Sequence, residues 1–215
     1  MTALINGPEV RRDASGAPGR RTLVILAATI VVTVVGMLVA TGTDIAYDDK
    51  TSQIESFFDM SQTANQVASY VGMVLVALVL FFGAALRTAM NVARPSWYAD
   101  VTFLGFGALG FTFASWTVTD AALWRAVDFG DESAIRTLAT ITDVGFLPLM
   151  ASMVALYVGS GLAGLTAGAL PKWLSIASIV VGVIAPLGPL GFVGFLLLPV
   201  WMVAVAICVR LKPSA

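Results

Sequence analysis

The stretch WYADVTFLGFGALGFTFASWTVT, residues 97–119, decides how this chain folds. Its centre, GFGALG at 105–110, matches the G-x-G-x-x-G pattern of dinucleotide-binding loops, and GSGLAG at 159–164 matches it a second time. That pattern binds a pyrophosphate where it follows a buried strand, opens a helix and precedes an acidic residue by about 20 positions. Here it lies in an apolar run whose single charge is Asp100, and such a run is typical of a membrane-spanning helix.

The composition points to the same class of protein. Of the 215 residues, 58% are hydrophobic and 12% are charged, and the mean hydropathy is +0.90. Soluble domains carry roughly 25% charged residues. We therefore predict an all-α fold, a polytopic transmembrane helical bundle. The net charge of −1 argues against nucleic acid as a partner.

Two residue types exclude whole classes of chemistry. Histidine is absent, which removes His-ligated haem, His-based zinc sites and a histidine general base. Cys208 is the single cysteine, so the chain has neither an intrachain disulfide nor a Cys-x-x-Cys redox pair. We therefore expect no cofactor, no metal site and no catalytic residue.

Six stretches are apolar enough to cross a hydrocarbon layer, which takes about 20 helical residues. They are 22–40, 65–86, 97–119, 138–159, 172–187 and 190–209. The fifth is short, and PLGP at 186–189 predicts a tight turn before the sixth. Pro148 and Pro199 interrupt the fourth and sixth spans, which favours kinked packing helices over the broken helices of transporters.

Basic residues predict the orientation of the bundle. With the N-terminus inside, nine of the twelve Lys and Arg residues lie on the inner side, and Lys50, Arg125 and Arg136 remain outside. Acidic residues show the opposite bias, so both termini are predicted to lie inside, in a bacterial cytoplasmic membrane. The predicted regions are a flexible cytoplasmic tail at 1–21, the six-helix transmembrane domain at 22–210 and a cytoplasmic tail at 211–215.

The first outer loop, 41–64, is the largest polar segment between the spans. Ser52 and Glu55 have the spacing of a capping box, and a phenylalanine pair follows Ile54 by one turn. This pattern predicts a short amphipathic helix that either lies on the outer membrane surface or folds over the bundle.

The glycine motifs fit helix packing better than dinucleotide binding. A pyrophosphate on GFGALG would be buried in hydrocarbon, and no acidic residue follows Asp143. Helices in lipid associate through close packing, which stripes of small side chains permit. We therefore expect no dinucleotide partner. The predicted helix-packing residues are Gly105, Ala108, Thr112, Ser115, Gly145, Ser152, Gly159, Ser178 and Gly182.

Asp143 is the acidic residue most clearly inside a predicted span, and intramembrane carboxylates are costly and therefore functional candidates. Arg136 shares its helix face and is placed to pair with it. Residues that leave the third span at a similar level complete a polar pocket open to the outside. The candidate ligand-binding residues are Asp143, Thr140, Arg136, Asp120, Trp116, Trp124 and Arg125. The alternative is that Asp143 simply lies in the first turns of its helix, near water.

Three strings carry a resemblance to known sequences: IESFFDM in the first outer loop, FFGAALR at the end of the second span and LPKWLSIASIVVGVIAPLGP at the start of the fifth. In these strings, and in layout over most of its length, the chain resembles multi-pass membrane proteins of actinobacteria that are grouped as a domain of unknown function. The resemblance implies a helical bundle in the cytoplasmic membrane. It implies no activity, so no functional residue is carried over.

These observations rank three kinds of function. The first is a non-catalytic integral membrane protein, either an accessory or scaffolding subunit or a binder of a lipid or another hydrophobic ligand. Its expected partners are membrane lipid and a membrane protein or a second copy of the chain. The second is a small transporter or channel that uses an outward-facing pocket around Asp143. An intramembrane enzyme ranks last, because the residues for the usual acid–base and metal schemes are missing.

Overall fold

The computed structural model describes residues 19–41, 50–60, 62–187 and 189–211, and these residues form helices joined by turns. The all-α class is therefore confirmed for the described part of the chain. The helices in chain order are α1 Arg20–Thr41, α2 Thr51–Met60, α3 Gln62–Ala93, α4 Trp97–Phe129, α5 Glu132–Val144, α6 Phe146–Ala167, α7 Lys172–Ile184 and α8 Pro189–Cys208. The tails predicted at 1–21 and 211–215 lie almost entirely outside the described residues.

Four segments of the described chain are long and apolar enough to cross a membrane, which is compatible with a membrane protein. They are α1, α3, α4 and the continuous stretch Glu132–Ala167, which comprises α5 and α6. The last two helices are apolar but shorter. α7 has 13 residues, which corresponds to a length of roughly 20 Å.

Helix α4 lies at the centre of the bundle, between α3 and α6. α7 packs on the other side of α6, and α8 contacts α1, so the last helix lies beside the first. A three-residue turn at 94–96 joins α3 to α4 and makes them antiparallel. Ser96 caps α4 by accepting a hydrogen bond from the Tyr98 N–H (3.3 Å), and Gly130, with φ of +66°, ends it in the left-handed conformation.

The glycine motifs lie where α4 and α6 approach each other most closely. A Cβ atom at Gly105 would lie 2.5 Å from the backbone nitrogen of Leu156, and one at Gly159 would lie 2.9 Å from that of Thr102. Both distances are far below van der Waals contact, so only glycine fits at either position. Each helix thus places a glycine against the backbone of the other.

An aromatic column runs through the core of the bundle. Phe82 of α3 meets Phe106 of α4 with ring centroids 5.4 Å apart, and Phe106 meets Trp201 of α8 at 6.3 Å. Trp201 then packs edge-on against Tyr157 of α6, at 4.8 Å and 62°. Because all four side chains are buried, the column joins four helices through one set of contacts.

The polar atoms at the end of this column have partners. The Trp201 indole N–H donates to Ser178 Oγ on α7 (2.8 Å), and the Tyr157 hydroxyl donates to the Gly194 carbonyl on α8 (2.9 Å). The Ser178 hydroxyl in turn donates to the Leu174 carbonyl (2.8 Å). These bonds fix the short helix α7 against the rest of the bundle without leaving a buried donor unpaired.

The fourth predicted span, 138–159, lies within Glu132–Ala167, one of the four segments long and apolar enough to cross a membrane, and a turn at Gly145 divides this segment into α5 and α6. Gly145 has a low helix propensity, and it lies against the indole nitrogen of Trp116. Pro148 falls in the first turn of α6, where proline is tolerated, and it has no N–H to donate to the Val144 carbonyl. The turn at Gly145 therefore divides the apolar stretch into α5 and α6.

Helix α2 occupies part of the loop at 41–64, and it contacts α3, α4 and α5. Ile54, on its inner face, is completely buried. The residues that form this small second core are Ile54, Leu123, Ala126, Ile135 and Ala139. The side chains of α4 and α5 thus hold α2 at the end of the bundle where α3 begins and α4 ends.

The capping interaction of α2 differs from the predicted one. The Lys50 N–H donates to Gln53 Oε1 (3.1 Å), so the side chain that reaches back is Gln53 rather than Glu55. The helix begins at Thr51, one residue before the predicted cap at Ser52, and this shift moves the third helical position to Gln53.

Replacing Ile54 with serine should release α2 from the bundle, because the small core loses its central apolar side chain at a cost of about 2–5 kcal/mol. We expect faster amide hydrogen exchange over 51–60 and unchanged exchange in α4 and α6. Ser52→Ala on the exposed face of α2 is the matched control and should leave the exchange rates as they are. Slow exchange of α2 in the Ile54 variant would show that other contacts hold the helix.

Candidate functional site

An open groove of about 700 Å³ lies between the first turns of α3 and the last part of α4. Cavities of roughly 300–1,000 Å³ take small organic ligands in proteins. The groove is lined by Asn65, Gln66, Ser69, Tyr70, Met73, Thr117, Val118, Ala121, Ala122, Trp124 and Arg125.

Helical spacing explains why these residues meet. On α3 they recur at three- and four-residue intervals from Asn65 to Met73, and on α4 they do so from Thr117 to Arg125, so each set lies on one helix face. Small side chains in the middle of the α4 set, such as Ala122, leave the space unfilled. Larger side chains at the ends then form the walls of the groove.

The groove carries one positive charge. Among the described residues that line it, Arg125 is the only charged one, and no carboxylate is present. Its guanidinium carbon lies 4.9 Å from the ring centroid of Trp124, in cation–π contact. The indole nitrogen of Trp124 is buried and has no hydrogen-bond partner among the described residues.

A smaller cavity of about 190 Å³ lies on the other side of the α3–α4 contact. It is bordered by α1, α3, α4 and α8, and both Trp116 and Asp120 line it. Thr117 lines both spaces, and it packs tightly on Gly72, where a Cβ would lie 2.5 Å from its hydroxyl oxygen. The Gly72–Thr117 contact therefore separates the groove from the smaller cavity.

The structure divides the predicted ligand-binding residues among three places. Trp124 and Arg125 line the groove, and Trp116 and Asp120 line the smaller cavity. Asp143, Thr140 and Arg136 line neither of these two spaces. All three are exposed on α5, and residues 138–144 of this helix belong to the predicted fourth span.

The pairing of Arg136 with Asp143 is not formed in the described part of the chain. The Arg136 Nε donates instead to the Thr51 hydroxyl on α2 (2.9 Å), and the Thr140 hydroxyl donates to the Arg136 carbonyl (2.9 Å). The physical reason is the direction of α5, whose buried face carries Ile135 and packs on α2 and α4. That packing brings Arg136 to α2.

The predicted helix-packing residues fall into two groups. Those at the helix contacts are buried, whereas Ala108 and Ser115 are exposed. The buried sector of α4 is centred on larger residues, Phe106 and Leu109, and the small-residue stripe lies along its edge. Gly145 packs against Trp116 at the break before α6. The residues at buried positions are Gly105, Thr112, Ser152, Gly159, Ser178 and Gly182.

None of the groove residues on α3 is among the ligand-binding residues predicted from the sequence. Their signal is the row Asn65, Ser69 and Met73, polar and then apolar at four-residue spacing, at the start of a helix that carries no charge before Arg87. These side chains are uncharged, so a pattern of acidic residues does not indicate them.

Comparison of the chain with protein families, with curated proteins and with solved structures finds no match. The family resemblance drawn from the sequence therefore stays a prediction.

Proposed function

We propose that this chain is a non-catalytic integral membrane protein that binds a membrane lipid in the groove between α3 and α4. The observation that carries the proposal is the position of the groove across one boundary of the apolar layer. The proposed arrangement has six spans and both termini on the cytoplasmic side of a bacterial membrane.

Charged residues mark two levels along α3 and α4. Arg87 and Asp100 form an ion pair across the two helices. Beyond this pair, residues 62–86 of α3 and 101–119 of α4 carry no charge. A hydrocarbon layer that begins at the pair and takes about 20 helical residues ends on α4 at Asp120, the next charged residue.

The groove crosses this second level. At 1.5 Å per residue, Met73 and Val118 lie roughly 21 and 27 Å above the ion pair, inside a layer of about 30 Å. Gln66 and Arg125 lie roughly 32 and 38 Å above it, in the headgroup region. The deeper end of the groove, where Met73 and Val118 lie beside Ser69 and Thr117, is thus at the level of the acyl chains, and Arg125 is at the level of the headgroups, as a lipid entering sideways from the leaflet requires.

The six-span arrangement rests on α7 and α8. A turn at 185–187 follows α7, and α7 and α8 follow α6 as an apolar pair with an exposed hydrophobic face. α7 is short for a 30 Å layer, and its fixed contacts with α6 and α8 allow it to sit in locally thinned lipid. The basic residues Arg20, Arg94, Lys172 and Arg210 then fall at the same end of the bundle, which supports the inside assignment.

Lipid binding is favoured over transport by the placement of the candidate residues. A transporter built around Asp143 requires a pocket at that carboxylate, and Asp143 lies on the exposed face of α5 instead. The chain also lacks histidine and has one cysteine, which favours binding over acid–base or metal chemistry.

Photo-crosslinking tests the proposal. Full-length protein is reconstituted with a phospholipid that carries a diazirine in its acyl chain, and the crosslinked peptides are mapped. We expect crosslinks concentrated at 65–73 and 117–125. Ala122→Trp fills the groove and should lower this yield about tenfold, the equivalent of 1.4 kcal/mol.

The control is Ala177→Trp, the same substitution on the exposed face of α7. It should leave the crosslink pattern unchanged. An even distribution of crosslinks over α1, α7 and α8 that the Ala122 variant does not alter would contradict lipid binding in the groove.

A further inference from the structure

We infer that the groove selects lipids whose headgroup carries a net negative charge and a phosphate, held by Arg125. This inference rests on the proposed function and names the class of lipid that the same site takes.

The charge of the groove favours an anionic headgroup. Arg125 is the only charged residue among the described residues that line the groove, and its guanidinium stays protonated at every physiological pH. The nearest carboxylate along the helix, Asp128, is exposed and lies outside the lining. An anionic headgroup neutralises this charge, whereas a zwitterionic headgroup brings its own cation beside the guanidinium.

The hydrogen-bonding groups of the site favour a headgroup that carries acceptor oxygens. Arginine and tryptophan side chains donate hydrogen bonds and accept none. The Trp124 indole nitrogen is buried, so the Arg125 guanidinium supplies the donors that a headgroup in the groove can reach. A headgroup that presents several acceptor oxygens matches the several donors of one guanidinium, and a phosphate is such a group.

The Arg125 guanidinium is held in place before a lipid binds. The Arg125 guanidinium lies 4.9 Å from the Trp124 ring centroid, so the cation–π contact holds it beside the indole before a lipid arrives. α4 continues for a further turn, to Phe129, and this rigid helix supports both side chains. Less side-chain entropy is then lost on binding, which favours selectivity at this position.

The depth of the two residues agrees with this chemistry. Arg125 and Trp124 lie at the headgroup level, and Met73 and Val118 lie about 10 Å or more deeper, at the level of the acyl chains. A phospholipid with its phosphate at Arg125 therefore places its chains along the apolar part of the groove. A free phosphate ion makes no use of that part.

The experiment compares two lipids that differ only in headgroup. Full-length protein in detergent is titrated with phosphatidylglycerol and with phosphatidylcholine of identical acyl chains, and bound lipid is counted by native mass spectrometry. We expect about a tenfold preference for phosphatidylglycerol in the wild type, as for one charge-assisted hydrogen bond. Arg125→Gln should remove the preference, and Arg125→Lys should keep part of it.

Two further variants separate the site from general electrostatics. Arg136→Gln removes a positive charge on α5, outside the groove lining, and should keep the tenfold preference. Trp124→Phe keeps an aromatic face beside the Arg125 guanidinium and removes only the buried N–H, so it should keep the preference for phosphatidylglycerol. A preference retained by Arg125→Gln, or lost equally in Arg136→Gln, would overturn the inference.

The groove-filling variant distinguishes the two proposals. If Ala122→Trp lowers the binding of both lipids while Arg125→Gln keeps the preference, the groove binds lipid without selecting its charge. If Ala122→Trp changes neither, the proposed function fails together with this inference. A phosphatidylglycerol preference that inorganic phosphate abolishes at equal concentration would assign the site to a free anion instead.

Discussion

Replacing Gly105 with alanine is expected to destabilise the bundle by about 1–3 kcal/mol, the usual cost of forcing an extra methyl group into a packed interior. The added Cβ would lie 2.5 Å from the Leu156 nitrogen and 2.8 Å from its Cα. Both are backbone atoms, so relief requires α4 and α6 to move apart. We expect a lower midpoint in thermal unfolding of the detergent-solubilised protein, measured by fluorescence-detected size exclusion.

Gly107→Ala is the matched control, because it makes the same change in the same helix two residues away. No atom lies within 4 Å of a Cβ at Gly107. Alanine is the better helix former by about 1 kcal/mol, so this variant should be as stable as the wild type or more so. Equal destabilisation by both substitutions would show that helix propensity, and not the α4–α6 crossing, controls stability here.

Replacing Trp201 with alanine is expected to cost about 3–5 kcal/mol, as large-to-small changes of buried aromatic residues do. The substitution removes the ring contacts to Phe106 and Tyr157 and the hydrogen bond to Ser178. These contacts connect α8 to α4, α6 and α7, so the loss should weaken the whole second half of the bundle. The measurement is again the thermal midpoint, together with the yield of monodisperse protein.

Trp173→Ala is the control for this variant, since Trp173 lies on α7 with 62% of its surface exposed. Its removal should change stability by no more than about 0.5 kcal/mol. If the two tryptophan variants unfold at the same temperature, the aromatic column does not stabilise the bundle.

The sequence predicts the class of fold because composition and charge spacing determine it directly. Charge-free runs such as 101–119 have no stable place outside a membrane or a very large core, and the glycine pattern inside this run has no strand before it. The starts of α3, α4 and α8 lie within three residues of the predicted apolar stretches, whereas α3 and α4 continue seven and ten residues beyond them. The role of Gly105 and Gly159 follows from their lack of a side chain.

The candidate site is less predictable, because it depends on which face of each helix packs against its neighbours. Asp143 lies within the apolar stretch Glu132–Ala167, but it sits near the end of α5 on an exposed face and lines neither the groove nor the smaller cavity. Arg136 then bonds to Thr51 across 85 residues of sequence, a pairing that no local pattern indicates. The groove likewise arises from two separate helices, because small residues of α4 such as Ala122 lie opposite the first turns of α3.

Lipid retention is the most direct test of the central claim that the α3–α4 groove holds a membrane lipid. Wild-type protein is released from membrane vesicles into the mass spectrometer without prior delipidation, beside the Ala122→Trp variant. We predict one lipid bound per chain in the wild type and a bare chain in the variant. A wild-type chain that carries no lipid would contradict the account, and a stoichiometric protein companion in place of the lipid would assign the molecule to a subunit role.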